Sequence, residues 1–129
     1  MARRVKQRAS VGVLGKDITR RARSVCELCG GRDSPRLFEL APFPSEPTPE
    51  RTLLACARCR AWLEEDDAVD LDAAHFLGGA VWHALPAVRL AAGRLLHLVA
   101  KPPLWVMDAV EACGVDPVTL EFSAPAEEA

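Results

Sequence analysis

A chain of 129 residues suffices for one domain with a modest core and is too short for two of ordinary size. Half of its residues are hydrophobic, which excludes a wholly disordered chain, and four Phe and three Trp without any Tyr leave a core of Leu, Val and Ala that favours helices over a large sheet. The net charge of −2 conceals a division, because Arg3, Arg4, Lys6, Arg8, Lys16, Arg20, Arg21 and Arg23 face Asp17 alone within residues 1–23, and the rest of the chain is acidic.

Residues 1–15 mix basic and small residues without a period and read as a flexible basic arm. A short helix is predicted from Asp17 to Ser24, with Asp17 near its N-terminus where a carboxylate suits the exposed amides. Ile18 and Ala22 lie one turn apart on its inner face, and the arginines occupy the other. Cys-Glu-Leu-Cys-Gly-Gly at 26–31 has the form of a metal knuckle, its first glycine allowing the tight turn that aims backbone amides at sulfur. Residues 37–40 read as a strand with Leu37 and Glu39 on one face and Phe38 and Leu40 on the other. Four prolines make 41–49 a loop, and 52–55 is the returning strand of a hairpin.

Cys56-Ala-Arg-Cys59 is a second knuckle, continuing as a short helix to about Glu65. Asp66, Asp67, Asp70 and Asp72 form an acidic loop that lacks the glycine and terminal glutamate of a calcium loop. Asp72 is placed to cap a helix over 73–83, which Gly78 and Gly79 weaken. Pro86 opens a helix through Ala100 whose stripe is Val88, Ala91, Ala92, Leu95, Leu96 and Val99, with Arg89 and Arg94 toward solvent. Lys101-Pro102-Pro103 separates it from a helix over 102–112 that Gly114 ends. Asp116 and Pro117 start a single turn, and 123–129 is an acidic tail.

Two CxxC pairs make Cys26, Cys29, Cys56 and Cys59 the candidate ligands of one structural Zn2+ ion. Zinc in such sites takes four thiolates at tetrahedral corners, two residues between ligands let each pair clamp one ion, and residues 30–55 are long enough for the hairpin that joins the pairs. Arg58, Arg60 and the knuckle amides are expected to offset the excess negative charge of four thiolates. A site with every corner filled leaves no position for water or substrate, which argues against catalysis at the metal. Cys113 has no local histidine or basic helper and reads as an inert, half-buried thiol.

The fold class expected is therefore α+β and mostly helical. A zinc-ribbon or treble-clef-like knuckle module with a short β-hairpin packs on a C-terminal helical segment, giving one zinc-binding domain over 16–122 with the module at 16–65 and the helical part at 72–122. Phosphate-binding loops, dinucleotide glycine patterns and nucleophile elbows are absent from the sequence. A nuclease of the HNH type would need a histidine between Cys29 and Cys56 and a further histidine or asparagine, and the chain has neither the first nor any Asn. Asp72 and His75, three apart, are the pair a hydrolase would use. His75, His83 and His97 otherwise read as packing or surface residues.

Several stretches together resemble the N-terminal zinc-binding region of the PhnA-like proteins: Cys-Glu-Leu-Cys-Gly, Leu-Leu-Ala-Cys-Ala-Arg-Cys, the step from Asp72 to His75, Val-Trp-His-Ala-Leu-Pro-Ala-Val-Arg-Leu, Arg94-Leu-Leu and Leu-Trp-Val-Met-Asp. The resemblance covers about residues 16–122. It implies that the four cysteines are the zinc ligands and that His75, Trp82, Pro86, Ala87, Val88, Arg94 and Trp105 hold characteristic positions. Phe76 departs from the tryptophan usual after that histidine, and Ala61-Trp62 from a polar, glutamine-containing step. Longer members continue into a small all-β domain, whose role the resemblance does not carry to these residues. The family name reflects an association with alkylphosphonate utilisation, and no hydrolase activity is implied by it.

The expected role is that of a small zinc-stabilised binding or regulatory protein, with a protein-interaction module linked to phosphonate metabolism and a hydrolase as the alternatives. The partner is an unidentified protein or nucleic acid met through the basic arm, with Arg3, Arg4, Arg8, Arg20, Arg21 and Arg23 as candidate phosphate contacts. Trp82, Trp105 and Leu98 of the C-terminal helices are candidates for a homo-oligomer interface. With neither a secretory h-region nor about 18 continuous apolar residues, a cytoplasmic location and no membrane partner are expected.

Overall fold

The computed structural model describes residues 7–123. Helices α1 (Gly15–Ala22), α2 (Ala57–Leu63), α3 (Leu77–Ala80), α4 (Pro86–His97) and α5 (Leu104–Cys113) accompany one two-stranded antiparallel sheet, β1 (Arg36–Glu39) and β2 (Thr52–Ala55), so the chain is α+β. The hairpin pairs Phe38 with Leu53 and Glu39 with Thr52. No helix among the described residues is long and apolar enough to cross a membrane.

Helix α4 is the central beam. Ala87, Val88, Leu90, Ala91, Ala92, Gly93, Leu95 and Leu96 are all buried, leaving little of its circumference for solvent, as expected of a helix packed on several sides. It lies against α2, α3, α5 and β2. A second, smaller apolar cluster fastens α1 to the other side of the hairpin, where Ile18 and Ala22 meet Leu54 with Leu14 and Leu37 around them. The hairpin thus carries one cluster on each face, in keeping with the alternation of Leu37 against Phe38 and Leu40.

Four expectations are corrected. The basic arm, as far as residues 7–15 are concerned, is docked: Ala9–Leu14 form a 3-10 helix with Val11 buried, and the Gln7 side-chain amide pairs with the backbone of Glu39 on both sides, donating to its carbonyl at 3.0 Å and accepting from its N–H at 2.7 Å. The helix expected over 73–83 contracts to the single turn of α3, which is not capped by Asp72, since two of its four residues are glycine. Arg94 does not face solvent. Its guanidinium donates to the carbonyls of Leu120 and Ala41 and to the Glu121 carboxylate, with a side-chain exposure of 14%. Cys113 is fully rather than half buried, its thiol donating to the Val110 carbonyl at 3.1 Å.

The helix ends follow ordinary chemistry. Pro86 occupies the first turn of α4, and α5 stops at Gly114, whose φ of 71° is the left-handed value a glycine adopts freely. Asp116 caps the turn beyond it, its Oδ1 accepting from the N–H groups of Val118 and Thr119 at 2.7 and 3.0 Å.

Candidate metal centre

The first knuckle is a closed turn. The Cys26 N–H donates to the Gly31 carbonyl and the Gly30 N–H to the Cys26 carbonyl, each at 2.8 Å, and Gly30 takes a φ of 79° that a side chain would resist. This geometry points amides at sulfur: the Cys29 N–H lies 3.5 Å from Cys26 Sγ and the Gly31 N–H 3.3 Å from Cys29 Sγ. The second knuckle begins at Cys56, which stands at the N-cap of α2, with Cys59 inside the first turn.

Glu27 locks the two halves together. Its side chain, 4% exposed, takes two N–H groups of Arg21 at 2.8 Å and the backbone N–H of Leu54 at 2.9 Å, while its own N–H donates to the Leu54 carbonyl. Arg60 adds a second fastening by donating to the carbonyls of Ser34 and Ala55, and the Ala57 N–H donates to Asp33. The spacer residue Glu27 was not singled out by motif reading, although its place between two candidate ligands was the available signal.

The result is a cluster in which the ligand atoms of Cys26, Cys29, Cys56 and Cys59 all lie within 4.8 Å of one another, with Cys29 Sγ 3.6 Å from Cys56 Sγ. Four sulfurs at about 2.3 Å from a tetrahedral ion are separated by about 3.8 Å, so the set can hold one metal ion with small adjustment. Three of the cysteines are buried and Cys29 is half-buried. The electrostatics suit an anionic centre. A hydrogen bond from Cys59 brings the Cys26 thiol down to about 4, with the amides of Cys29, Cys56 and Leu28 assisting against burial, while donating that bond, together with burial and the neighbouring sulfurs, pushes Cys59 upward. Burial opposes the charge of Arg58, yet the sulfurs of Cys29, Cys59 and Cys56 outweigh it and raise the guanidinium above its ordinary value. Arg58 also lies 5.0 Å above the Trp62 ring and 5.9 Å from that of Phe76, and those rings stack 6.3 Å apart, which fixes the cation beside the sulfurs.

The candidate phosphate contacts divide. Arg3 and Arg4 lie outside the described residues. Arg8 and Arg21 are committed to Glu39 and Glu27, respectively, so they are fold residues. Arg20 and Arg23 are exposed, and Lys16 joins them on one side of α1 around a shallow depression. Asp72 and His75 are exposed, no hydrogen bond joins them among the described residues, and the His75 ring stacks on Trp105 with centroids 5.1 Å apart. A cavity of about 470 Å3 lies elsewhere, between Phe38, Pro42, Phe43, Leu63, Leu98 and Leu120, and neither Asp72 nor His75 lines it. Leu98 is half-buried, Trp105 is covered in part by His75 and Gly78, and Trp82 is 71% exposed. No protein-family profile, curated protein or solved structure matches the chain.

Proposed function

We propose that this chain is a small binding protein braced by one structural zinc ion, held by Cys26, Cys29, Cys56 and Cys59, and that its partner is nucleic acid. The observation that carries the zinc assignment is the convergence of four sulfurs within 4.8 Å under knuckle amides, because an all-thiolate tetrahedral donor set suits zinc and keeps no corner for substrate. The order of knuckle, hairpin and helix, with the second cysteine pair opening α2, favours a treble-clef-like module over a ribbon. The resemblance to PhnA-like proteins belongs to the same proposal, its support being the motifs in the sequence. A nucleic-acid partner is supported by the exposed basic residues of α1.

Metal analysis of the purified chain tests the zinc assignment. One zinc per chain is expected, together with a tetrahedral thiolate spectrum when cobalt replaces it. Removal of zinc by a strong chelator should unfold the module, since binding free energies on the order of 10 kcal/mol are part of folding in such sites. A Cys59→Ser variant that folds normally without metal would overturn the assignment.

A further inference from the structure

Helix α1 is amphipathic in a way that leaves one charged side unused. Ile18, 1% exposed, and Ala22 face the hairpin, and Arg21 is tied down by Glu27 and by the carbonyl of Thr52 at 3.0 Å. Lys16 and Arg20 stand on the outer side at i and i+4 and Arg23 follows at the C-cap, all three exposed and none ion-paired among the described residues. With a rise of about 1.5 Å per residue, Lys16 and Arg20 are about 6 Å apart along the helix, and Arg23 lies just past its end. They surround a shallow depression completed by Gly15, Thr19 and Ser24. Arg23 and Ser24 both adopt left-handed backbone conformations, with φ of 56° and 62°, and the Ser24 N–H donates to the Thr19 carbonyl at 3.0 Å. That reversal holds Arg23 at the rim as the chain turns away toward the first knuckle.

We propose that the Lys16, Arg20 and Arg23 side of α1 is a docking surface for the phosphodiester backbone of nucleic acid, engaged without sequence readout and with duplex preferred over single strand. This rests on the nucleic-acid reading above and gives it a place. Positive charges set on a rigid helix match phosphate recognition, and the hydroxyls of Thr19 and Ser24 add neutral donors to phosphate oxygens. The depression contains no aromatic ring, so it has no platform on which unpaired bases would stack. The acidic remainder of the chain turns other faces away from a polyanion, which makes this end the one presented.

The test is fluorescence anisotropy of the zinc-loaded full chain with a labelled twenty-base-pair DNA duplex and the matching single strand, across a salt gradient starting at about 50 mM. A Lys16→Gln/Arg20→Gln/Arg23→Gln variant is compared with an Arg32→Gln/Arg36→Gln/Lys101→Gln variant of equal charge, with zinc content and melting temperature recorded for each. The expected result is duplex binding that the first variant weakens at least about tenfold, with the slope of log affinity on log salt falling by about 2.7, which is the value for three lost phosphate contacts. The control should bind within about twofold of the parent, the bound expected if contact and not net charge decides. Equal losses in both variants, or an unaffected first variant that keeps its zinc and melting temperature, would overturn the surface. Tighter binding of the single strand would refute the duplex preference. No binding by a chain holding one zinc would remove the nucleic-acid reading and leave the zinc assignment standing, whereas surface-dependent binding by a folded chain without zinc would do the reverse.

Discussion

Arg8 makes a two-pronged ion pair with Glu39, Nε to Oε1 at 2.7 Å and Nη2 to Oε2 at 2.6 Å, joining the N-terminal segment to the strand β1. The Glu39 side chain has no exposure to solvent, while Arg8 is 26% exposed. The Arg8 guanidinium also lies 5.0 Å from the centroid of Phe43 in the proline-rich loop. A carboxylate in this position is tolerable only because the segment before α1 supplies its counter-charge, and Gln7 meanwhile satisfies the adjacent backbone.

Breaking one member of this pair should therefore harm the fold more than replacing both. Arg8→Met leaves a buried charge unpaired and is expected to lower the melting temperature by on the order of 5–10 °C. The double change Arg8→Met/Glu39→Leu should recover at least half of that loss, because no charge is then stranded. Thermal melts of the zinc-loaded proteins check the order, and a double variant less stable than Arg8→Met would contradict it.

What the sequence disclosed and what it hid differ in range. Each CxxC pair is a local pattern, and residues 36–55 carry the alternation and prolines of a hairpin, so the four-cysteine cluster and the sheet were readable from neighbours in the chain. Glu39 was placed on the same side as Leu37 by alternation, but nothing near it reveals that it is buried, because its partner stands 31 residues earlier. Arg94 looked like a polar residue beside an apolar stripe for the same reason: its acceptors are Ala41, 53 residues before it, and Leu120 and Glu121 near the other end. The error over α3 was of another kind. A helix over 73–83 is expected after Asp72 in spite of two consecutive glycines, and in the fold the glycines prevail.

Thr52 is wholly buried in β2, and its hydroxyl finds no hydrogen-bond partner among the described residues. Thr52→Val keeps the shape and the β-branch while removing an unsatisfied polar atom, so it should raise stability by about 1 kcal/mol. Chemical denaturation should show a higher midpoint with an unchanged slope. A lower midpoint would mean that the hydroxyl is satisfied in solution.

Gly93 sits in the middle of α4, where alanine would ordinarily favour the helix by about 1 kcal/mol. Here a Cβ would collide with the Val115 side chain and approach Cys113 Sγ at 3.4 Å. Val115 is itself buried, so it has little room to yield. Gly93→Ala should accordingly destabilise by roughly 1–3 kcal/mol, the usual cost of overpacking, and Val115→Ala in the same chain should relieve part of the clash. Denaturation of the two single variants and the double gives the coupling directly.

Glu121 joins the C-terminal end of the described chain to the rest through two arginines, Arg51 at 2.7 and 3.0 Å and Arg94 at 2.5 Å. Burial favours its neutral form, but the hydrogen bonds and charges of Arg51 and Arg94 prevail and hold its pKa below the ordinary 4.5. For a depressed carboxylate the unfolded chain takes up the proton first as pH falls, so the stabilisation is complete above the unfolded value and is lost as pH passes below it toward the folded value. Stability measured downward from neutral pH should therefore decline from about pH 4.5 with a contribution that disappears in Glu121→Gln, because that variant has no proton to bind at this position. Since acid also displaces metal from thiolates, the comparison is made between the parent and Glu121→Gln at equal zinc content. Parallel pH profiles would show that the two arginines do not hold Glu121 in solution.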